Sequence, residues 1–414
     1  MANNTDTYAA RGVSSQKEAV SNAAKSVGED KGLFPGAFCK IMQDPRNKNY
    51  VMIPHADGAG TKSSLAYIYW KETGDTSVFA GIIQDSIVMN LDDIACVGGI
   101  LGDTWLMSSI DRNPKKIPDE ILPILFQADY DFRQKMAGYG INIYGGAGET
   151  ADVPDTARTL IVNHSTLTRM KKNDVIDNSR ISVGDYIVGL SSSGRASYET
   201  EFNSGIGSNG LTNARHDLLH SDYREKYPES FEPELLKDNL AYNGSFHVTQ
   251  KMPLSKINPE LLIEIGKLIL SPTRTYAPVL MEIFKQIGTK RINGIVHCSG
   301  GGQTKILKSL KYGLSAHKTD LFEVPYLFNL IQSESNLSWE QMYEKFNMGH
   351  RMEICVPDIC DVLKIIDISK SLGVNAKIIG SINLSENSNE KNVRITTLKG
   401  KLGPQLKYSA TRQH

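Results

Sequence analysis

The sequence predicts a two-domain protein that mixes helices and strands. Three observations carry this expectation. The chain has 414 residues, of which 40% are hydrophobic, enough for two cores. Short apolar runs that suit strands alternate with longer stretches whose apolar residues recur at the helical period. A polar stretch, Lys171-Lys172-Asn173-Asp174, falls between two such series and reads as a linker. The expected division is therefore residues 1–172 and 173–414.

In the first part, Tyr50-Val51-Met52-Ile53 reads as a buried strand. The loop after it, His55-Ala56-Asp57-Gly58-Ala59-Gly60-Thr61-Lys62, gathers a carboxylate, glycines, a hydroxyl and an amine. Those groups suit a polyphosphate and its metal: bare backbone N–H groups, a cation and a carboxylate for Mg²⁺. It is not a Walker A loop, because Thr61 stands where Gly must precede the Lys. It is not a dinucleotide fingerprint either, because Ser63 stands where a third Gly is needed. A plain strand-end turn is the alternative.

Residues 80–97 read as a helix with Ile83, Ile87, Leu91 and Ile94 near one face. Asp85 and Asp92 are seven residues apart, nearly two turns, so they share a face, with Asp93 beside them. Like charges about 4 Å apart repel by roughly 1–4 kcal/mol, a cost that a divalent cation removes. A solvated acidic face is the alternative. A helix over 119–138 follows, with apolar positions at Ile121, Leu125, Ala128, Phe132 and Met136. Ile141-Asn142-Ile143-Tyr144 reads as a strand leading to Gly145-Gly146-Ala147-Gly148-Glu149, where Glu149 is placed to project into a cleft or to cap a loop. Thr159-Leu160-Ile161-Val162 is a further strand.

The second part opens with a strand over 184–190 that runs into Ser191-Ser192-Ser193-Gly194, an anion-friendly turn. Ser208-Asn209-Gly210 follows. Residues 215–250 are charged and aromatic without period and read as an inserted excursion. A helix over 278–287 has Pro at its first turn and Gly288 as its stop. A strand over 292–296 leads to His297-Cys298-Ser299-Gly300-Gly301-Gly302 and a short helix from Lys305, a good anion site. A helix over 361–372 ends at Gly373, and 383–392 reads as the loop of a C-terminal hairpin.

Composition bounds the partners. Forty-six basic and forty-six acidic residues give zero net charge, so no broad basic face for nucleic acid is implied. No apolar run reaches membrane-spanning length, and the N-terminus has no signal-peptide character. The five cysteines form no Cys-x-x-Cys pair and read as reduced, buried thiols of a cytoplasmic protein.

Taken in order, these segments resemble the aminoimidazole ribonucleotide synthetase family, also called phosphoribosylformylglycinamidine cyclo-ligase. The resemblance runs through Asp57 to Lys62, Met89 to Ile94, Gly148 to Asp152, Ser192-Ser193-Gly194 and Ser208-Asn209-Gly210. It continues through Ser271-Pro272-Thr273-Arg274, His297 to Gly302, Phe346-Asn347-Met348-Gly349 and Lys377-Ile378-Ile379-Gly380. The Phe-Asn-Met-Gly and Ser-Pro-Thr-Arg segments separate this family from the wider ATP-binding synthetase superfamily.

The resemblance implies an α/β N-terminal domain with a mixed sheet that pairs across a homodimer, and an α+β C-terminal domain. It implies ATP-dependent ring closure of formylglycinamidine ribonucleotide in purine synthesis, with Mg²⁺. It places Asp57, Asp93 and Glu149 on metal and nucleotide, with Asp85 and Asp92 close by. Gly58, Gly60, Thr61 and Lys62 would meet ATP phosphates, and the Gly28–Gly36 segment, with Gly32, would lie over the nucleotide. Ser192, Ser193, Gly194, Ser208, Asn209, Gly210, Arg274, Gly300, Gly301 and Gly302 would hold the ribose-phosphate substrate. Asp93, Glu149, Lys62 and His297 would be catalytic, His297 by proton transfer, although a strand-end His can be structural. The chain departs from the family pattern where Gly207 precedes Ser208 in place of a Pro-His pair, and where Asp92 replaces an Asn. The alternatives are a selenophosphate synthetase or thiamine-monophosphate kinase type of enzyme, or a nucleotide-binding paralogue without activity.

Overall fold

The computed structural model describes residues 32–253, 260–396 and 405–412, with 7–13 and positions 19, 23 and 26 before them. Gly28 lies outside the described residues. The first sheet uses β1 (Met42–Gln43), β2 (Tyr50–Gly58), β3 (Asp103–Arg112), β4 (Ile143–Gly145), β5 (Glu149–Asp152) and β6 (Leu160–Lys171). Its order is β1-β2-β6-β3-β4, with β5 also on β3. The β2–β6 and β3–β6 pairs are antiparallel, whereas β4 and β5 run parallel to β3, so the sheet is mixed.

Side-chain alternation fixes which face is covered. In β6, Leu160, Val162, His164, Thr166, Thr168 and Met170 are buried and Ile161, Asn163, Ser165 and Lys171 are exposed. Helices α1 (Lys62–Thr73), α2 (Val78–Ala95) and α3 (Leu122–Ala137) belong to this half, and α2 lies on β2, β6 and α3. Ile121, Leu125, Phe132 and Met136 are buried, as their spacing predicts. The outer face of the sheet leaves Met42, Trp105, Tyr144 and Ile161 exposed.

The second sheet has the order β10-β12-β7-β13-β11-β14-β15, from β7 (Tyr186–Ser191), β10 (Gly294–His297), β11 (Leu314–Lys318), β12 (His350–Val356), β13 (Ala376–Leu384), β14 (Glu390–Ile395) and β15 (Leu406–Thr411). Strands β8 (Lys251–Pro253) and β9 (Leu262–Glu264) form a separate ribbon. Every residue of β12 is buried, including Glu353, which accepts from Lys318 Nζ at 2.5 Å. The architecture is the expected α/β half followed by an α+β half. Among the described residues, no helix is long and apolar enough to cross a membrane.

Two local expectations need correction. The loop assigned to His55–Gly58 is strand: β2 continues to Gly58, opposite Asn163 of β6. The cause is tertiary, since pairing with a twelve-residue β6 holds the segment extended through Pro54. The segment over 383–392 does connect two strands, but β13 and β14 are not a hairpin. Strand β11 lies between them, antiparallel to β13 and parallel to β14, and the hairpin partner of β14 is β15. Residues 215–250, read as an inserted excursion, are folded. Helices Leu211–Leu218 and Asp222–Lys226 enclose a buried cluster of Tyr223, Phe231 and Tyr242.

Candidate functional site

Helix α2 and the end of β2 are joined by Asn90. Its Nδ2 donates to the carbonyls of Asp57 (3.2 Å), Ser86 (3.0 Å) and His164 (3.1 Å), which leaves Oδ1 facing His55 Nδ1 at 2.9 Å. His55 Nε2 lies 3.3 Å from Asp93 Oδ2, and Asp93 Oδ1 is 2.6 Å from His297 Nδ1. His297 Nε2 then accepts from Arg351 Nε at 3.1 Å. A continuous polar chain, Asn90–His55–Asp93–His297–Arg351, therefore crosses from the first half of the molecule to the second.

The charges follow from this geometry. Burial alone would raise the Asp93 pKa, but hydrogen bonds from His297 and His55 and the charge of His55 hold it well below the usual carboxylate range. Burial opposes charging His55, yet the hydrogen bond and charge of Asp93, with Asn90 and Asp57, raise its pKa. Both ring nitrogens of His55 face oxygens, which suits the imidazolium. His297 is fully buried with both ring nitrogens engaged, so it has none to offer a substrate in this arrangement. It positions Asp93.

Four residues expected to meet ligands are committed elsewhere. Lys62 Nζ is wholly buried, donating to Asp85 Oδ1 (2.9 Å) and the Ser271 carbonyl (2.5 Å), not pointing to the Gly58–Gly60 turn. Asp85 also accepts from Thr273 N (2.7 Å) and Thr273 Oγ1 (2.5 Å). Asp92 accepts from Thr275 Oγ1 (2.6 Å) and Tyr276 N (3.1 Å). Arg274 is buried against Glu199 (Nη2 to Oε2, 2.5 Å) and donates to the Ser191 and Ser193 carbonyls. For Lys62, Asp85 and Asp92 the reason is shared: α2 is buried on nearly every side, so its acidic face meets Lys62 and residues 271–276 rather than solvent.

The Ser/Gly loops do converge. Ser192 Oγ donates to Asn347 Oδ1 (2.8 Å), and Asn347 Nδ2 donates to the Gly205 carbonyl (2.8 Å). A side chain at Gly210 would collide with the Phe346 ring, and one at Gly302 with the Phe346 carbonyl. Asn209 Nδ2 sits beside Gly300, and Ser208 Oγ lies 3.3 Å from Thr273 Oγ1. Gly194 and Gly301 take left-handed backbone conformations. Thr61 Oγ1 and Thr212 Oγ1 are 2.9 Å apart, which brings the Asp57–Thr61 turn against the Ser208–Gly210 loop. Gly32 packs on the Ile41 carbonyl and Gly36 on Asp177 and Ser179. Glu149 is exposed on β5, opposite Ser109, while Gly58 shares that row across β6. Three strand spacings put Glu149 about 14 Å from Gly58. A cleft of ≈ 820 Å³ opens elsewhere, between α2, α3 and residues 195–203, and none of the residues expected at the site lines it.

The chain aligns along most of its length with curated proteins. It is 27% identical to phosphoribosylformylglycinamidine cyclo-ligase of Methanococcus maripaludis over 394 residues, 94% of this chain and 92% of the relative. It is 28% identical to the enzyme of that name from Trichlorobacter lovleyi over 369 residues, 88% of each chain. Alkaliphilus metalliredigens supplies another at 27% over 378 residues, 90% of this chain and 91% of the relative. The chain is thus similar to these cyclo-ligases over most of its length. No protein-family model matches it. Among solved structures, the HypE-HypF complex is similar with a TM-score of 0.49 and 12% identity, covering 95% of this chain and 98% of that one. T. maritima PurL complexed with FGAR gives 0.45 and 14%, covering 86% of this chain but 45% of that one. Likeness at this level bears on neither ligand nor reaction.

Against the cyclo-ligase resemblance, the donor set can be tested for Mg²⁺, which prefers carboxylate oxygens and keeps several waters. Asp57 and Glu149 fit, being exposed carboxylates at strand ends, and Asp93 is partly exposed beside His55. Asp92 fits poorly, because both of its oxygens are buried against Thr275 and Tyr276, and Asp85 fits poorly because it is wholly buried with Oδ1 spent on Lys62 and Thr273, which leaves only its buried Oδ2 without a hydrogen bond. Sequence reading missed His55 as a site residue, although it stands in the segment that drew attention, and missed Asn90 and Arg351. His55 had a usable signal, since alternation along a strand puts it on the same face as Asp57. Arg351 had none.

Proposed function

We propose that the chain catalyses the ATP-dependent ring closure of formylglycinamidine ribonucleotide to aminoimidazole ribonucleotide, releasing ADP and phosphate. The observation that carries this reading is its kinship with curated cyclo-ligases over 88–94% of its length. The junction of the Asp57–Thr61 turn with the Ser208–Gly210 loop supports it, because ATP and a ribose-phosphate need adjacent anion-binding turns.

An amide oxygen is a poor leaving group. Transfer of the γ-phosphoryl of ATP to that oxygen releases ADP and makes a good one. The substrate's own nitrogen then attacks the same carbon, loses a proton, and expels phosphate as the C–O bond breaks. Such chemistry needs positioning and charge neutralisation more than a protein nucleophile. The backbone amides of Gly60 and Thr61 would face phosphate oxygens, since Gly58 N is held by Asp57 Oδ1 and Ala59 N by the Val162 carbonyl, and His55, rather than Lys62, is the cationic side chain beside that turn. Asp93 and Asn90 orient His55, while His297 and Arg351 hold Asp93. Mg²⁺ on Asp57 with Asp93 would neutralise polyphosphate charge, and Glu149, three strands away on the row that faces the outer side of the sheet, would hold a separate ion. Ser193, Gly194, Ser208, Asn209 and Gly300–Gly302 would bind the ribose-phosphate.

The exposed apolar residues on the outer face of the first sheet support a homodimer in which those sheets meet. Separate sheets before and after the 172/173 boundary support two domains. The absence of disulfides among the described cysteines supports a reducing, cytoplasmic setting. Cys39 speaks against the selenophosphate reading: it is buried, its Sγ lies 3.1 Å from the Asp93 carbonyl, and burial with the Asp93 charge pushes its thiol pKa well up. The test is ADP release from Mg-ATP with and without formylglycinamidine ribonucleotide, following the aminoimidazole product in parallel. Substrate-dependent ADP matched by product supports the reading. ADP release indifferent to this substrate contradicts it.

A further inference from the structure

The inserted stretch carries a side-chain cluster that the proposed reaction does not use. Residues 218–220 and 244–246 are zipped by backbone bonds: His220 N to the Phe246 carbonyl (2.9 Å), Gly244 N to the Leu219 carbonyl (2.9 Å) and Phe246 N to the Leu218 carbonyl (3.0 Å). This pairing sets His220 and His247 side by side, ring centroids 4.6 Å apart and 25° from parallel. Asp222, the first residue of the helix Asp222–Lys226, faces both rings. Its Oδ1 is 3.1 Å from His220 Nδ1 and its Oδ2 is 3.1 Å from His247 Nε2. Buried Tyr223 packs edge-on against the His247 ring at 5.6 Å, and its hydroxyl accepts from Val248 N at 2.9 Å, so His247 is braced from behind.

We propose that His220, Asp222 and His247 form a binding site for a divalent transition-metal ion of the Zn²⁺ class, with solvent completing the coordination. Bonds of about 2.0–2.1 Å at tetrahedral angles put neighbouring ligand atoms about 3.3 Å apart. Both His-to-Asp spacings are close to that value, and the three ligand atoms lie within 4.8 Å of one another. The Asp222 amide lies 3.3 Å from His220 Nδ1, a long contact that an ion bound at this nitrogen would replace. Two imidazoles and one carboxylate select Zn²⁺, Ni²⁺, Co²⁺ or Cu²⁺ over Mg²⁺ or Ca²⁺. The side chains are 36–52% exposed, so the open side of the site is wet. The nearby Lys226 turns to Glu72 at 3.4 Å.

The ion would clip the two arms of the insertion together. That matters because the insertion grips the first half of the molecule: Tyr227 Oη donates to Glu72 (2.6 Å), Tyr67 bonds Glu229, and Arg158 pairs with Glu232 (2.7 Å).

The test uses the full chain, stripped with a chelator and titrated with Zn²⁺ against a chromogenic competitor, with thermal melting in parallel. The wild type is expected to take up about one ion per chain at this site and to melt higher with Zn²⁺. His247→Ala is expected to weaken that uptake at least tenfold and to lose the melting shift. His220→Gln is the second variant should His247→Ala not fold. Uptake and melting shift equal in wild type and a folded variant, or no uptake by the wild type, overturns the proposal.

Discussion

Lys62 and Asp85 form an ion pair, Nζ to Oδ1 2.9 Å, in which neither side chain is exposed at all. Lys62 also reaches the Ser271 carbonyl and Asp85 the Thr273 amide, so the pair fastens the first half of the molecule to the second. Burial lowers the Lys62 pKa, and the charge and hydrogen bond of Asp85 oppose that shift.

Lys62→Met leaves Asp85 buried without its cation. Breaking a buried pair on one side costs about 3–5 kcal/mol, whereas replacing both members by apolar residues is often close to neutral. Lys62→Met is therefore expected to unfold at markedly lower urea, and Lys62→Met with Asp85→Leu to recover much of the loss. Unchanged stability in Lys62→Met, with ATP dependence lost, would return Lys62 to the phosphate site.

Glu149→Gln should leave stability within about 0.5 kcal/mol, because an exposed strand position is tolerant. Turnover should fall roughly 100-fold, the scale of losing one charge-stabilising group. Near-normal turnover under saturating Mg-ATP would remove Glu149 from the site.

Acid should weaken the inserted region through His216. Burial, with the charges of Arg215, Arg11 and Arg224, depresses its pKa far below the usual value. The unfolded chain then binds a proton below about pH 6.5 that the folded chain refuses, so stability is full above that pH and falls below it. The expected slope from this residue is about 1.4 kcal/mol per pH unit between pH 6 and 5. Urea midpoints at pH 7, 6 and 5 should drop more steeply for the wild type than for His216→Gln. His350 is also depressed by burial and contributes with the same sign in both proteins, so the comparison isolates His216. Parallel slopes would show that His216 does not titrate as its surroundings dictate.

Trp105 and Ile161 stand on the exposed face of the first sheet, 39% and 42% accessible. If that face joins two copies, Trp105→Lys with Ile161→Lys should give a folded monomer by sedimentation where the wild type is a dimer. A dimer undisturbed by both lysines would place the interface elsewhere.

Much of this was legible in the chain. The seven-residue spacing put Asp85 and Asp92 on one face of α2, and both do face the segment 271–276. Periodicity could not say what that face meets, because the partners lie more than 180 residues away. A solvent- or metal-facing acidic helix and a buried, hydrogen-bonded one have the same spacing. The length of β2 was hidden for a similar reason: Pro54 and Gly58 interrupt its apolar run, and only pairing with β6 extends it. The Gly210 and Gly302 loops were legible as turns, while their shared neighbour, Phe346, was visible only as a family segment. His297 stood out in the chain as a candidate for proton transfer at a strand end, while its buried place beside Asp93 and Arg351 follows from packing of the two halves.

The most direct test follows the oxygen. Formylglycinamidine ribonucleotide labelled with ¹⁸O on its amide oxygen is incubated with the protein and Mg-ATP, and the released phosphate is analysed by mass. The proposed reaction predicts one labelled oxygen in each phosphate, in step with the aminoimidazole product and ADP. Unlabelled phosphate, or ADP without the aminoimidazole, would contradict it.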